Sequence, residues 1–239
     1  MIALDKLRSF LERLKYPHIF VTVSGAHLYG FPSADSDYDL RGVHVLPVNR
    51  IAGLDTGPDT IEISERRDGL DADVVSHDAK KFFLMLLKRN GYVLEQLTSP
   101  LRVVTTPEHE ELLALVPALL TRHHSHHYLG FAETQWHLFS KEKHKRAKPL
   151  LYTFRVLLTG IHLMRSRKVE ANLLNLNSSF RLPYLEDLID KKVSGREKEE
   201  VSDKDCGFYE KEYKRLFAML ETAAAVICPR DPRTGSYDI

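Results

Sequence analysis

The chain has 239 residues, of which 43% are hydrophobic and 28% charged, and its 34 basic and 33 acidic side chains leave a formal net charge of +1. That balance is ordinary for a globular protein with ample core material and excludes a low-complexity or polyelectrolyte chain. No window approaches the roughly 20 apolar residues that cross a bilayer, MIALDKLRSFLERLKY interleaves charge too densely for a signal peptide, and Cys206 and Cys228 are too few for a disulfide framework, so reduced thiols and a cytoplasmic location are expected.

In chain order, Leu4, Leu7, Phe10, Leu11 and Leu14 recur at helical spacing, predicting a first helix that stops near Tyr16-Pro17. Ile19 to Val23 reads as a short strand, Ser24-Gly25 as a turn into a loop of small residues, and Tyr38 to Leu46 as a second strand stopped by Pro47. Thr60 to Ser64 and Ala72 to Ser76 flank the polar segment ERRDGLD, the pattern of a hairpin. Asp78 is placed to cap a helix running from Ala79 to about Arg89, with Phe82, Phe83, Leu86 and Leu87 inward. Asn90-Gly91 breaks it, and YVLEQL forms a shorter helix before Ser99-Pro100.

From Pro107 onward the pattern is helical: EHEELLALVPALL, a histidine-rich stretch to Glu142, PLLYTFRVLLTGIHLM and FYEKEYKRLFAMLETAAAVI. Lys191 to Asp205 is apolar-poor and reads as a flexible loop, and the tail PRDPRTGSYDI as frayed. The expected fold is α+β: a small mixed β-sheet core with flanking helices over residues 1–105, then a helical module over 106–239.

Asp37 and Asp39 stand two positions apart, so in an extended strand they project to one side with Tyr38 opposite. Like charges held that close call for a cation. Paired carboxylate oxygens suit Mg²⁺, which is commonly completed by substrate phosphates. Asp-x-Asp alone is common in solvated turns; the longer string SGAHLYGFPSADSDYDLRGV is far more specific.

That string resembles the polymerase-β-like nucleotidyltransferase superfamily, in particular its RNA-ligase-associated, RNA-repair branch, which reads G-S-x-x-Y-G and then S-D-x-D-x-R-G-V. The matching positions are Gly25, Tyr29, Gly30, Ser36, Asp37, Asp39, Arg41, Gly42 and Val43. Ala26 departs from the pattern, standing where the branch carries a phosphate-holding serine; Ser24 or backbone N–H groups are the available substitutes. The resemblance implies a nucleotidyltransferase core with a third carboxylate on a neighbouring strand. Asp71, Asp73 and Asp78 are the candidates; Asp78 suits a cap, and Asp73 is preferred. Catalytic and metal-binding roles are thereby assigned to Asp37, Asp39 and Asp73, with two Mg²⁺ or Mn²⁺ ions.

Nucleotide-binding roles are expected of Ser24, Gly25, His27, Tyr29, Arg41, Lys148, Tyr152 and Arg155. Arg41 either reaches phosphate or pairs with the aspartates two positions away, and Tyr152 either stacks on a base or belongs to the core. KEKHKRAK concentrates basic residues near Lys148, a plausible footprint for RNA or a triphosphate. His123, His124, His126 and His127 read as a surface or RNA-facing cluster, with zinc as a minor alternative. The expected activity is transfer of a nucleoside monophosphate from an NTP to a hydroxyl of a nucleic-acid end, RNA or tRNA, with release of pyrophosphate. The alternatives are a protein or small-molecule acceptor, or an inert nucleotide- or RNA-binding module; the partners are NTP and RNA, with no membrane.

Overall fold

The computed structural model describes residues 4–53, 57–67, 69–194 and 201–226. A five-stranded mixed sheet is formed by β1 (His18–Val23), β2 (Tyr38–His44), β3 (Thr60–Arg67), β4 (Leu70–Asp78) and β5 (Arg102–Thr105), in the order β3-β4-β2-β1-β5. Only the β2–β4 pairing is parallel, and it sets Asp39 directly opposite Asp73. Because side chains alternate, the sheet has two distinct faces. Val21, Val23, Leu40, Ala72 and Val74 point to one side, where Leu7, Phe10 and Leu11 of α1 (Leu4–Leu11) cover them. Phe20 and Val43 point to the other and enter a larger core, and Asp39, Arg41 and Asp73 fall on this second face by the same alternation.

That larger core is built by helices. They are α4 (Ala79–Leu87), α5 (Gly91–Thr98), α6 (Pro107–Leu119), α7 (His124–Lys141), α8 (Ala147–Ser166), α9 (Leu173–Phe180), α10 (Pro183–Val193) and α11 (Asp203–Val226), with the short α2 (Gly25–Tyr29) and α3 (Val48–Ile51) beside the strands. Phe20 and Phe82 lie in the same apolar cluster as Phe154 and Leu220, so the packing is continuous from strand β1 to α11. Helix α8 is buried on nearly every side, as an all-round apolar sequence requires. No helix of the described residues is long and apolar enough to cross a membrane.

Several expectations are adjusted. Asp78 does cap α4, its carboxylate accepting from the Lys80 N–H at 3.0 Å, but Leu87 faces solvent with 56% of its surface exposed. Asn90 caps α5 by accepting from the N–H groups of Tyr92 and Val93. The loop expected after Ser24 is the helix α2, too short to show periodicity. β5 arises from four residues without a flanking strand signal. Lys191 to Val193 belong to α10, and Val201 is buried and donates its N–H to the Lys145 carbonyl at 2.8 Å, so the described residues at both ends of that segment are held by the fold. The tail PRDPRTGSYDI and Cys228 lie outside the described residues.

Candidate active site

Asp39 and Asp73 share one cation. The Nη2 of Arg41 donates to Asp39 Oδ1 at 2.6 Å and to Asp73 Oδ2 at 3.1 Å. Its other donors are engaged too: Nε with the Tyr92 hydroxyl at 2.9 Å, and Nη1 with the carbonyls of Leu40 and Asp73 at 2.9 and 2.8 Å. Of the two expected roles for Arg41, this geometry favours pairing with the aspartates over contact with phosphate. Burial raises the Asp39 carboxyl above its usual range, and the negative charges of Asp37 and Asp73 add to that while Arg41 opposes it.

Asp37 is not on the strand. It is exposed and immediately precedes β2, behind a turn in which the Ser36 N–H donates to the Ser33 carbonyl and the Ser33 N–H to Ser36 Oγ. Helix α10 pins the same turn: the buried Lys192 donates from Nζ to Ser33 Oγ at 2.8 Å. Lys192, expected in a flexible loop, thus fixes the chain just ahead of the carboxylates.

Gly25 is the close-packed point of the site. Its φ of +60° lies in the left-handed region, and a Cβ there would stand 1.7 Å from Asp39 Oδ2. Only a residue without a side chain lets the start of α2 approach the carboxylate. Ser24 precedes it as a buried N-cap, its backbone N–H donating to the Asp39 carbonyl at 2.8 Å. The Ser24 hydroxyl is turned inward beside Tyr29, not presented to solvent.

A cavity of about 300 Å³ opens beside Asp39, lined by Gly25, Tyr29, Tyr92, Glu95, His127, Phe131, Tyr152, Arg155 and Val156. The sheet contributes Asp39 to its wall; α2, α5, α7 and α8 supply the rest. Arg155 is 3% exposed, donates from Nη1 to Glu95 Oε2 at 2.9 Å, and lies over the Tyr29 ring at 3.8 Å from its centroid. Burial drives the Glu95 carboxyl upward, with Arg155 opposing. His127 is held down to about 4 by burial, then by His124 and Arg155, so its ring is neutral near pH 7.

Five of the expected residues therefore meet at one cavity: Asp39, Gly25, Tyr29, Tyr152 and Arg155. Asp73 and Arg41 adjoin it through Asp39. Ser24 and His27 do not line it; His27 stacks on Tyr38 with centroids 4.3 Å apart and faces a separate cavity with Asn172 and Glu170. Lys148 is exposed at the start of α8, outside the cavity wall. The histidine stretch is not a surface cluster: His124 is buried, His127 lines the cavity and His126 is exposed. Sequence reasoning missed Tyr92, His127 and Phe131 as wall residues. Tyr92 and Phe131 read as ordinary core and His127 as part of a surface cluster, and only the fold brings α5 and α7 to one cavity.

Among the described residues, no three His, Cys, Asp or Glu side chains are gathered as a ready cation site. The donor set nonetheless fits a hard divalent ion. Arg41 leaves Asp39 Oδ2 and Asp73 Oδ1 unengaged, Asp37 stands near, and the Asp39 carboxyl is raised by burial first and by the charges of Asp37 and Asp73 second, both of which a bound cation would offset.

Comparisons with known proteins identify the family of the chain and several similar proteins. The family model described as "RNA repair pathway DNA polymerase beta family" matches residues 2–233. A protein of Methanocaldococcus jannaschii is 32% identical over 174 residues, spanning 72% of this chain and 69% of that protein. YcgL of Bacillus subtilis is 25% identical over 158 residues, spanning 65% of this chain and 59% of YcgL. A crystal structure of a nucleotidyltransferase-like protein from Exiguobacterium sibiricum shares 11% identity, covers 93% of this chain and 73% of its own, and has a TM-score of 0.36.

Proposed function

The chain belongs to the RNA repair pathway DNA polymerase beta family, and from that premise we propose that it transfers a nucleoside monophosphate from an NTP to a hydroxyl at an RNA end, tRNA included, releasing pyrophosphate. The observation that carries this reading is the in-register pair Asp39 and Asp73 on adjacent parallel strands, of which Asp39 borders a cavity walled by aromatic side chains. Phosphoryl transfer asks a protein mainly for positioning and for neutralisation of spread charge. In this reading residues 1–105 form the catalytic module, residues 106–239 the helical module, and the cavity draws on both.

Asp37, Asp39 and Asp73 hold the divalent ions, Mg²⁺ or Mn²⁺. When bound, a pair of such ions polarises the transferred phosphoryl group and steadies the attacking and leaving oxygens. The protein's own parts do the rest. Asp73, at 35% side-chain exposure against 24% for Asp39, is the carboxylate reachable by an incoming hydroxyl and accepts its proton. Gly25 lets backbone N–H groups of α2 approach the triphosphate. Arg41 holds Asp39 and Asp73 at one spacing, and the cavity shelters the nucleoside from water.

Incubation with labelled NTPs, Mg²⁺ and RNA or tRNA tests the proposal. Label on RNA that disappears with Asp39→Asn supports it. Label on protein or a small molecule instead reassigns the acceptor, and no transfer to any acceptor overturns it.

A further inference from the structure

Arg41 stands between the two carboxylates with all its donors taken. A guanidinium carries five N–H groups, and here five acceptors meet them: Asp39 Oδ1 and Asp73 Oδ2 on Nη2, the carbonyls of Leu40 and Asp73 on Nη1, and the Tyr92 hydroxyl on Nε at 2.9 Å. The two carbonyls belong to strands β2 and β4 and are fixed by the sheet. The two carboxylates are the candidate ion ligands themselves. Tyr92 is the remaining acceptor, and it comes from a different element, α5.

The start of α5 is built to hold Tyr92 there. Asn90 Oδ1 accepts from the Tyr92 N–H at 2.9 Å. A Cβ on Gly91 would stand 2.8 Å from the ring of Tyr128, so a residue without a side chain lets this turn pack against α7. The phenol ring then lines the cavity while its hydroxyl reaches Arg41. The consequence lies in how the carboxylates are shared. Arg41 touches them through Nη2 alone and takes one oxygen from each. Were Nε released, it would be an unpaired donor in a partly buried site, which is costly. Nε is the neighbour of Nη2 on the guanidinium fork, and that fork grips a carboxylate by both oxygens when nothing restrains it.

We propose that Tyr92 is a positioning residue for the ion site. By holding Nε, its hydroxyl restricts Arg41 to one oxygen of each aspartate and so keeps Asp39 Oδ2 and Asp73 Oδ1 for the divalent ion. The inference rests on the reading of Asp39 and Asp73 as ion ligands and adds the residue that keeps them available.

The test measures ion binding directly, without turnover. Dissociation constants for Mn²⁺ are taken on the full chain from the electron paramagnetic resonance signal of the free ion, and binding that is lost with Asp39→Asn identifies the site. Tyr92→Phe keeps the ring and drops the oxygen; it should bind Mn²⁺ more weakly on the order of 10-fold, the low end for loss of a group that orients metal ligands. Urea midpoints report that the variant is folded, and Tyr92→Leu, which also lacks the oxygen, takes its place if it is not. In an Arg41→Met background the hydroxyl has no guanidinium to hold, so Tyr92→Phe should leave Mn²⁺ affinity unchanged there, an outcome that loss of wall packing would not give. Unchanged or tighter binding in Tyr92→Phe, or equal weakening with and without Arg41, overturns the role of Tyr92 while the ion site stands. Wild-type protein that takes up no Mn²⁺ overturns both.

Discussion

Asp39 and Asp73 face each other across a parallel strand pair and lean on the same guanidinium nitrogen, Nη2 of Arg41, at 2.6 and 3.1 Å. One cation is divided between two carboxylates, with Asp37 close enough to add its own repulsion. A site so arranged is under-neutralised by the protein alone.

Asp39→Asn and Asp73→Asn should each lower nucleotidyl transfer by at least about 100-fold, the scale of removing one electrostatic contact to a developing charge. Helical content should be unchanged, because both variants also reduce the crowding of negative charge. Initial rates beside circular dichroism spectra check both halves.

The pH dependence has a definite sign. Folding raises the Asp39 carboxyl, so its contribution to stability is fully present below the usual carboxylate range and is lost as pH rises through the folded value. Mg²⁺ should offset that loss. The Tm increment on adding Mg²⁺ is expected to be larger at pH 7 than at pH 4, and to shrink in Asp39→Asn.

Gly25→Ala places a Cβ against Asp39 Oδ2 and strains a φ of +60°. A cost of about 1–3 kcal/mol in urea unfolding is expected from the backbone, together with loss of transfer activity. Gly69→Ala is the control: its φ of +75° carries similar strain, but a Cβ there has nothing within 4 Å, so activity should survive.

Removing one partner of the buried Arg155–Glu95 pair strands the other charge among apolar side chains. Glu95→Gln and Arg155→Met should each cost about 3–5 kcal/mol, and the double variant less than their sum. A double-mutant cycle by chemical denaturation measures the coupling.

Histidines dominate the acid limb. Burial lowers both His18 and His127 to about 4. Their neutral forms are favoured in the folded chain, so stability is intact above about 6.5 and declines as pH falls from there toward 4. Urea midpoints taken between pH 7 and 4.5 should slope downward, and His127→Phe should flatten the slope.

Much of the sheet face was written in local pattern. Asp39 and Arg41 alternate with Leu40 and Gly42, Asp73 falls in phase with Asp71, and Asp78 and Asn90 cap where short polar side chains precede apolar runs. Asp37 was not legible, because the Ser33–Ser36 turn holds it out of the strand. The cavity was only half legible. Arg155 interrupts LLYTFRVLLTG, a run with no polar face, and an arginine there must find a buried anion. Glu95 lies in the equally apolar YVLEQL. Each signalled a partner, but no local rule joins two residues 60 positions apart. Lys192 was misread for the opposite reason, since its charged surroundings resemble solvated loop.

The bond from Lys192 to Ser33 spans 159 positions, and that span bears on how the protein is born. A nascent chain that has released both aspartate strands has yet to deliver Arg155, and its pre-Asp37 turn is still untethered. The cavity wall is complete only once α8 has cleared the ribosome, and the turn before Asp37 is tethered only once α10 has followed. Synthesis therefore lays down the carboxylate strands long before the side chains that fix their surroundings.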